Sequence, residues 1–429
     1  MNPPLRIAIA GLGTVGGGVV KALQSHGTEL SERGGRTLEL VAVSARDPKK
    51  ARGFDVSKAS FVTDPVTLAQ SNADVVVELI GGSDGPALAL VEAALKNKKH
   101  VVTANKALLA KHGTRLATLA EANNVALKFE AAVAGGIPII KALRESLIAY
   151  GVSAVRGILN GTCNYILTQM ESTGRAFGDV LKDAQALGYA EADPTLDVGG
   201  GDTAHKLSLL AALAFGTTPD LANMSVEGIA AITPDDIRFA REFGYRIKLL
   251  GVARQTPGGI SQRVQPVLVR AGTPLADVEG ASNAILADAG PAGSFFFSGR
   301  GAGEAPTAAS VIADIVDIAR GDLGPAFGRP ATVLKPLKPA PAGATASAYY
   351  LRFEVLDLPG VLAGIAAHLG EARVSIESIV QRASAPGEPV SIVMITHETQ
   401  ALSVERALQA IAASDKVRAR PCMIPMEAA

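Results

Sequence analysis

Residues 6–27 read RIAIAGLGTVGGGVVKALQSHG. The run Arg6–Ala10 predicts a buried strand, and the stretch from Gly17 onwards predicts a helix. Between them stands a G-x-G-x-x-G turn: Gly11, Leu12, Gly13, Thr14, Val15, Gly16. The first glycine permits a tight turn, the second lets backbone approach a pyrophosphate, and the third lets the helix pack closely on the strand. Helix N-terminal N–H groups would then face the phosphates. Alone the pattern is weak, because glycine-rich turns are common. Its position between strand and helix favours a dinucleotide loop over a plain turn.

Working outward, LELVAVS (38–44), ADVVVELI (73–80) and HVVTA (100–104) read as further buried strands. VEAALKNKK and LLAKHGTRLATLAEANN read as helices between and after them. Valine-rich strands alternating with helices predict an α/β, Rossmann-like doubly wound parallel sheet over residues 1–134. In such sheets an acid ending the second strand holds the ribose 2′-OH of NAD. Here the strand closes on Val43-Ser44-Ala45-Arg46, and Asp47 comes a step late. Arg46, with Lys49 or Lys50, suits the 2′-phosphate of NADP better; a solvated basic turn is the alternative, and NAD stays open.

The texture changes after residue 135. SAVRGILN (153–160), SQRVQPVLVR (261–270) and SFFFSGR (294–300) predict strands of a second, α+β unit spanning 135–304. A helix over 305–320 follows, and then GRPATVLKPLKPAPAGATA marks a linker at 325–347. Residues 348–429 give β-α-β-β-α-β, a ferredoxin-like arrangement that includes the strand VSIESIVQR.

The 429 residues suit two to four domains, and 48% hydrophobic content with 19% charged leaves little for disorder. Equal counts of 41 basic and 41 acidic residues argue against nucleic acid or an anionic membrane as a partner. No apolar run is long enough to span a bilayer. Two cysteines, Cys163 and Cys422, offer no disulfide framework. A cytoplasmic protein is the expectation.

The chemistry concentrates in GYAEADPTLDVGGGDTAHK, 188–206, which carries Glu191, Asp193, Asp197, Asp202, His205 and Lys206. Leu207–Phe215 is apolar on nearly every face, so its helix is expected to be buried and its polar first turn to open on a cleft. Asp202 and Lys206 share a face; a capping aspartate with an ordinary surface pair is the bland reading. Partial desolvation beside another cation, such as Lys106 in Val102-Thr103-Ala104-Asn105-Lys106, would tune Lys206 for proton transfer near neutral pH. Neighbouring carboxylates suit a substrate ammonium. The set fits oxidation of an amino alcohol. Asn160-Gly161-Thr162-Cys163-Asn164-Tyr165 lines a polar pocket or simply turns, with Cys163 a small core residue.

Taken together, Gly11–Gly16, Ala104-Asn105-Lys106, Asn160–Tyr165, Gly188–Pro194, Asp202–Lys206 and Gly299–Gly303 resemble homoserine dehydrogenase in order and spacing over essentially the whole chain. The C-terminal unit, with Leu-Pro-Gly-Val-Leu at 358–362, resembles an ACT regulatory domain. The resemblance implies NAD(P)-linked interconversion of L-homoserine and L-aspartate 4-semialdehyde, on the route to threonine, methionine and isoleucine. It implies Lys206 as acid/base, with Lys106 beside cofactor and substrate. Glu191, Asp202, Gly188, Tyr189, Asn160 and Thr162 would hold substrate, and Thr103, Gly303 and Glu304 would join the glycine turn around the cofactor. A sodium ion is implied at Glu130, Val133, Gly135 and Ile137, chiefly through carbonyls. Residues 135–304 would then be the catalytic and dimerisation domain of a homodimer or homotetramer, and Gly360 would admit a threonine effector. The rivals are a dehydrogenase of another amino-acid semialdehyde and a non-catalytic dinucleotide or amino-acid sensor.

Overall fold

The computed structural model describes residues 2–341, 345–381 and 389–427. Six strands form the first sheet: β1 (Leu5–Ala10), β2 (Leu38–Ser44), β3 (Ser60–Val62), β4 (Val75–Glu78), β5 (His100–Thr103) and β6 (Leu127–Lys128). Their order is β3-β2-β1-β4-β5-β6, with every pair parallel. The order reverses between β1 and β4, which opens a crevice at their carboxyl ends. Helices α1 (Thr14–Gly34), α2 (Pro86–Lys96) and α3 (Lys106–Ala122) connect the strands.

Alternation along β1 explains the layering. Ile7 and Ile9 pack with Val19, Val20, Val311 and Ile315 on one face. Ala8 and Ala10 join Val76, Leu90 and Leu108 on the other. The helix Glu304–Arg320 thus returns across the second domain to cover the first sheet beside α1. Gly18 makes that contact possible, since a Cβ there would lie 2.8 Å from the Glu304 side chain and 3.0 Å from Ala308.

The second sheet holds more strands than the three expected. Its order is Ser294–Arg300, Ser282–Asp288, Ala154–Ile158, Tyr245–Thr256, Gly259–Arg270, then Cys422–Glu427, Tyr349–Leu356, Pro389–Thr396 and Ile376–Gln381. The central strand Tyr245–Thr256 escaped the sequence reading because Lys248 and Gly251 interrupt its apolar pattern, yet both lie in a buried run. Lys248 is satisfied inside by the Val278 carbonyl at 2.6 Å. Ser282–Asp288, also unexpected, is buried from Asn283 to Ala287, and the short strand Ser225–Val226 pairs with Gly259–Arg270.

The expected β-α-β-β-α-β unit is present, with helices Val361–Glu371 and Ala401–Ala412. Arg382, the end of the expected strand VSIESIVQR, lies outside the described residues. The unit is docked rather than tethered. Cys422–Glu427 runs parallel to Gly259–Arg270, with Leu268 opposite Met426, and antiparallel to Tyr349–Leu356, so two sheets become one. Glu427 is buried and paired with Arg156 (2.8 Å), Arg263 (2.5 Å) and Arg254. Across the same seam, Asp236 accepts from Arg352 Nε at 2.7 Å and from the Tyr350 hydroxyl at 3.1 Å.

The segment read as a free linker also lies on the body as far as residue 341, while 342–344 fall outside the described residues. Phe327 packs on Phe129 with ring centroids 5.4 Å apart. The Glu121 carboxylate takes the Ala331 N–H at 2.9 Å, and Ile260 exchanges backbone hydrogen bonds with Lys338 and Ala340. Among the described residues no helix is long and apolar enough to cross a membrane.

Glu427→Ala strips a buried partner from three guanidinium groups at once. Truncating one side of a buried ion pair costs about 3–5 kcal/mol, so hydrogen exchange over 422–427 should accelerate sharply and the urea midpoint should fall. Unchanged exchange would mean that backbone pairing alone holds this strand.

Candidate active site

The glycine turn is built as its residue types demand. Gly11 has φ +101, its N–H bonds the Ser44 carbonyl at 2.9 Å, and a Cβ there would sit 2.5 Å from the Leu79 oxygen. A Cβ on Gly16 would fall 1.9 Å from the Gly11 oxygen. Gly13, which caps α1, has nothing within 4 Å of its missing Cβ. Two glycines therefore close the turn, while the third leaves open space at the helix N-terminus between Leu12, Thr14 and Val15. Arg46, just past β2, is exposed, and no ion pair or hydrogen bond engages it among the described residues. Gly303 (φ +119) caps Glu304–Arg320, and Glu304 bonds Lys21 of α1 at 2.8 Å.

A buried acid not singled out beforehand organises the next loop. Glu78, at the end of β4, accepts from the N–H groups of Ile80 (2.7 Å) and Gly81 (3.1 Å) and from the Thr103 hydroxyl (2.6 Å). Thr103 in turn accepts the Asn105 N–H, while Asn105 caps α3 through Leu108 N and donates to the Gly82 carbonyl at 2.7 Å. The only hint in the sequence is an acid closing a run of valines. This chain of bonds fixes where Lys106 begins α3.

Lys106 and Lys206 then meet on one carboxylate. Asp202 Oδ1 lies 3.1 Å from Lys106 Nζ, and Asp202 Oδ2 lies 2.7 Å from Lys206 Nζ. Asp202 does not cap its helix, Gly201–Phe215; Gly200 (φ +88) does, leaving the aspartate inside the first turn, where the helix dipole favours an anion. Burial pushes the Asp202 carboxyl up, but Lys206 and Lys106 outweigh it and hold the group well below the usual carboxylate range. Lys206 Nζ also donates to the Leu159 carbonyl at 2.7 Å, which receives Asn283 Nδ2 at 3.0 Å. The side chain of Lys206 keeps 12% of its surface exposed, and Lys106 keeps 33%. Lys206 is thus nearly closed to water, and Lys106 is only partly so. His205 is pulled down from its ordinary value by burial and then by Lys106.

Asn160 joins the cluster. It caps Gly161–Thr173 through Cys163 N and donates to Asp202 (2.9 Å) and Asp197 (2.8 Å). Asp197, quoted among the loop acids without a role, is thereby a neighbour of the lysines; burial and Asp202 raise its pKa. Cys163 is fully buried with its thiol pushed up by burial, as a core residue should be. Thr162 donates to the Tyr189 carbonyl at 2.6 Å, Tyr189 stacks on Tyr165, and Gly188 takes φ +75 at the preceding turn. Glu191 is exposed, and its carboxylate has no partner among the described residues, so the structure does not draw it to Lys206.

The residues expected around a cation form a tight, buried curl. Ala134 and Gly135 have φ +54 and +51, and a Cβ on Gly135 would meet the Gly301 oxygen at 2.4 Å. The Glu130 carboxylate is spent on the N–H groups of Ile140 and Lys141, both at 2.9 Å, and its carbonyl receives the Val133 N–H at 3.4 Å. The Gly135 carbonyl receives Ser310, and the Ile137 carbonyl receives Ile139 N. Asp314 is fully buried, accepts the Glu130 N–H at Oδ2 and leaves Oδ1 without a hydrogen bond; burial, then Glu130, pushes it up to about 7. Oxygen donors and an orphaned acid fit a hard monovalent cation. In the C-terminal unit, Gly360 (φ +86) caps Val361–Glu371 with open space at its missing Cβ.

The family model for the homoserine dehydrogenase catalytic region matches residues 138–316, that for the homoserine dehydrogenase NAD-binding domain matches 11–130, and that for the ACT domain matches 349–415. The homoserine dehydrogenase of Neisseria gonorrhoeae is 46% identical over 99% of both chains. The crystal structure of a homoserine dehydrogenase from Thiobacillus denitrificans superposes with a TM-score of 0.93 at 43% identity, covering 99% of this chain and 98% of that one. A hyperthermophilic archaeal homoserine dehydrogenase in complex with NADPH aligns with a TM-score of 0.63 at 25% identity over 73% of this chain and 97% of its own. With its glycine turn, paired lysines and C-terminal module in one chain, this protein belongs to the homoserine dehydrogenase family.

Proposed function

We propose that the protein interconverts L-homoserine and L-aspartate 4-semialdehyde with NADP(H), and that Lys206 moves the hydroxyl proton. The observation that carries this reading is one buried carboxylate, Asp202, shared by lysines from two domains at the mouth of a cleft. A bound nicotinamide supplies hydride acceptance or donation; the chain's own residues bind, orient and handle the proton. Asp202 and the Leu159 carbonyl aim Lys206 Nζ. In alcohol oxidation the neutral amine of Lys206 takes the proton of the substrate hydroxyl, and in the reverse direction its ammonium returns it. Lys106 stabilises negative charge developing on the same oxygen. Glu191, left unpaired on its loop, binds the substrate ammonium, with Asn160, Thr162, Gly188 and Tyr189 shaping the pocket.

The turn Gly11–Gly16, Thr103, Gly303 and Glu304 would hold the dinucleotide, and the exposed Arg46 favours the 2′-phosphate. The carbonyls of Glu130, Val133, Gly135 and Ile137 would hold sodium and keep the curl rigid. We place the domains at 1–134 with 305–320, 135–304 and 348–429, joined by the 325–347 segment, in a cytoplasmic homodimer or homotetramer. Threonine is the effector expected near Gly360.

Lys206→Ala should lower kcat by about 10²–10⁴ while NADPH binding, followed by nicotinamide fluorescence, persists; retained kcat defeats the assignment. Glu191→Gln should raise KM for homoserine more than it lowers kcat. Arg46→Ala should cost about 10–100-fold in kcat/KM for NADP, the value of a charge-assisted contact, with NAD turnover unchanged; an equal loss with both cofactors would remove Arg46 from the selectivity argument.

A further inference from the structure

The helix that presents Asp202 and Lys206 ends, fifteen residues from its start, at a second cavity. This space, about 400 Å³, is lined by Phe215, Gly216 and Thr217 from the helix end and by Arg329, Lys335 and Lys338 from the docked segment. Three cations face it, and no acidic side chain lines it. Among the described residues none of the three is engaged by a carboxylate. The contrast is the cavity beside Arg241, where Glu279 lies 2.9 Å from Arg246 and Glu171 stands next to it.

A helix C-terminus carries about half a negative charge, which offsets only part of one cation. Thr217 adds an independent observation. It is 6% exposed, lines the cavity, and its Oγ1 is buried without any hydrogen-bond partner. An orphaned hydroxyl of this kind costs about 1–3 kcal/mol unless something answers it.

The backbone around the cavity is fixed. Thr218 N bonds the Lys335 carbonyl at 2.9 Å, Lys335 N bonds the Gly216 carbonyl at 3.3 Å, and Ile260 N bonds the Lys338 carbonyl at 2.8 Å. Gly216, at φ +68, lets the Arg329 guanidinium lie flat against the helix end, since a Cβ there would meet Arg329 Nη1 at 2.2 Å.

We propose that this cavity binds a small phosphate-bearing molecule. Arg329, Lys335 and Lys338 take the phosphoryl oxygens. Guanidinium and ammonium groups match the charge and acceptor geometry of a phosphoryl group. The volume exceeds what one inorganic phosphate fills, so an organic phosphate ester or pyrophosphate suits it better.

The test is calorimetric titration of the full chain with inorganic phosphate, pyrophosphate and glycerol 3-phosphate, in a phosphate-free buffer with NADP+ saturating the glycine turn. Pyrophosphate or glycerol 3-phosphate should bind once per chain, more tightly than inorganic phosphate. The exposed and unpaired side chains make Lys335→Gln/Lys338→Gln a variant that folds and turns over normally, and it should weaken binding by about ten- to a hundredfold. Equal affinity in the lysine double variant overturns the site. So does the absence of heat with all three probes, or binding that vanishes once NADP+ is present.

Discussion

A carboxylate almost closed to water stays ionised here because two ammonium groups reach it from opposite sides. Removing a carboxylate from water costs several kcal/mol, and a single contact charge returns about 4 kcal/mol at the screening usual near protein surfaces. Asp202 is met by Lys206, one turn along its own helix, by Lys106, at the start of α3 in the other domain, and by the Asn160 amide. Lys106 and Asn160 therefore still hold it when Lys206 gives up its proton. The same contacts latch the two domains together at the cleft. It also sets the amine of Lys206 between a carboxylate and the Leu159 carbonyl, a position suited to proton exchange.

That arrangement rests on a second layer of buried polar bonds. Glu78, Thr103 and Asn105 decide where α3 starts, and Asn160 and Asn283 hold the end of the strand Ala154–Ile158 against the lysines. Each donor has an identifiable acceptor. Asn283 Oδ1, Thr203 Oγ1 and His205 Nδ1 are left without a hydrogen-bond partner among the described residues.

Much of this was legible in the sequence because the site is encoded locally. Glycines at 11 and 16 are required by a positive φ and a close approach, and the spacing from Asp202 to Lys206 fixes one helical face. The doubly wound sheet was legible for a similar reason, since strands buried on both faces read as unbroken apolar runs. What escaped depends on distant partners. Lys248 and Gly251 disguise a central strand, Glu78 and Asp197 acquire their roles only across loops, and the proline-rich segment looks solvated until Phe129, Glu121 and Ile260 meet it. The free carboxylate of Glu191 could not have been read from spacing.

The strand Cys422–Glu427 completes both sheets, yet its parallel neighbour Gly259–Arg270 is made far earlier in synthesis. At about 5–20 residues per second, Leu268 waits roughly 10–30 s for Met426 to emerge. During that interval the nascent catalytic sheet shows an unfinished margin around Leu268 and Val269, while Arg254 and Arg263 wait without Glu427 and Arg156 has Asp288. Charge beside such a margin disfavours stacking against a copy of itself, so Arg263, on the edge strand, guards the growing chain before Glu427 arrives to pair with it.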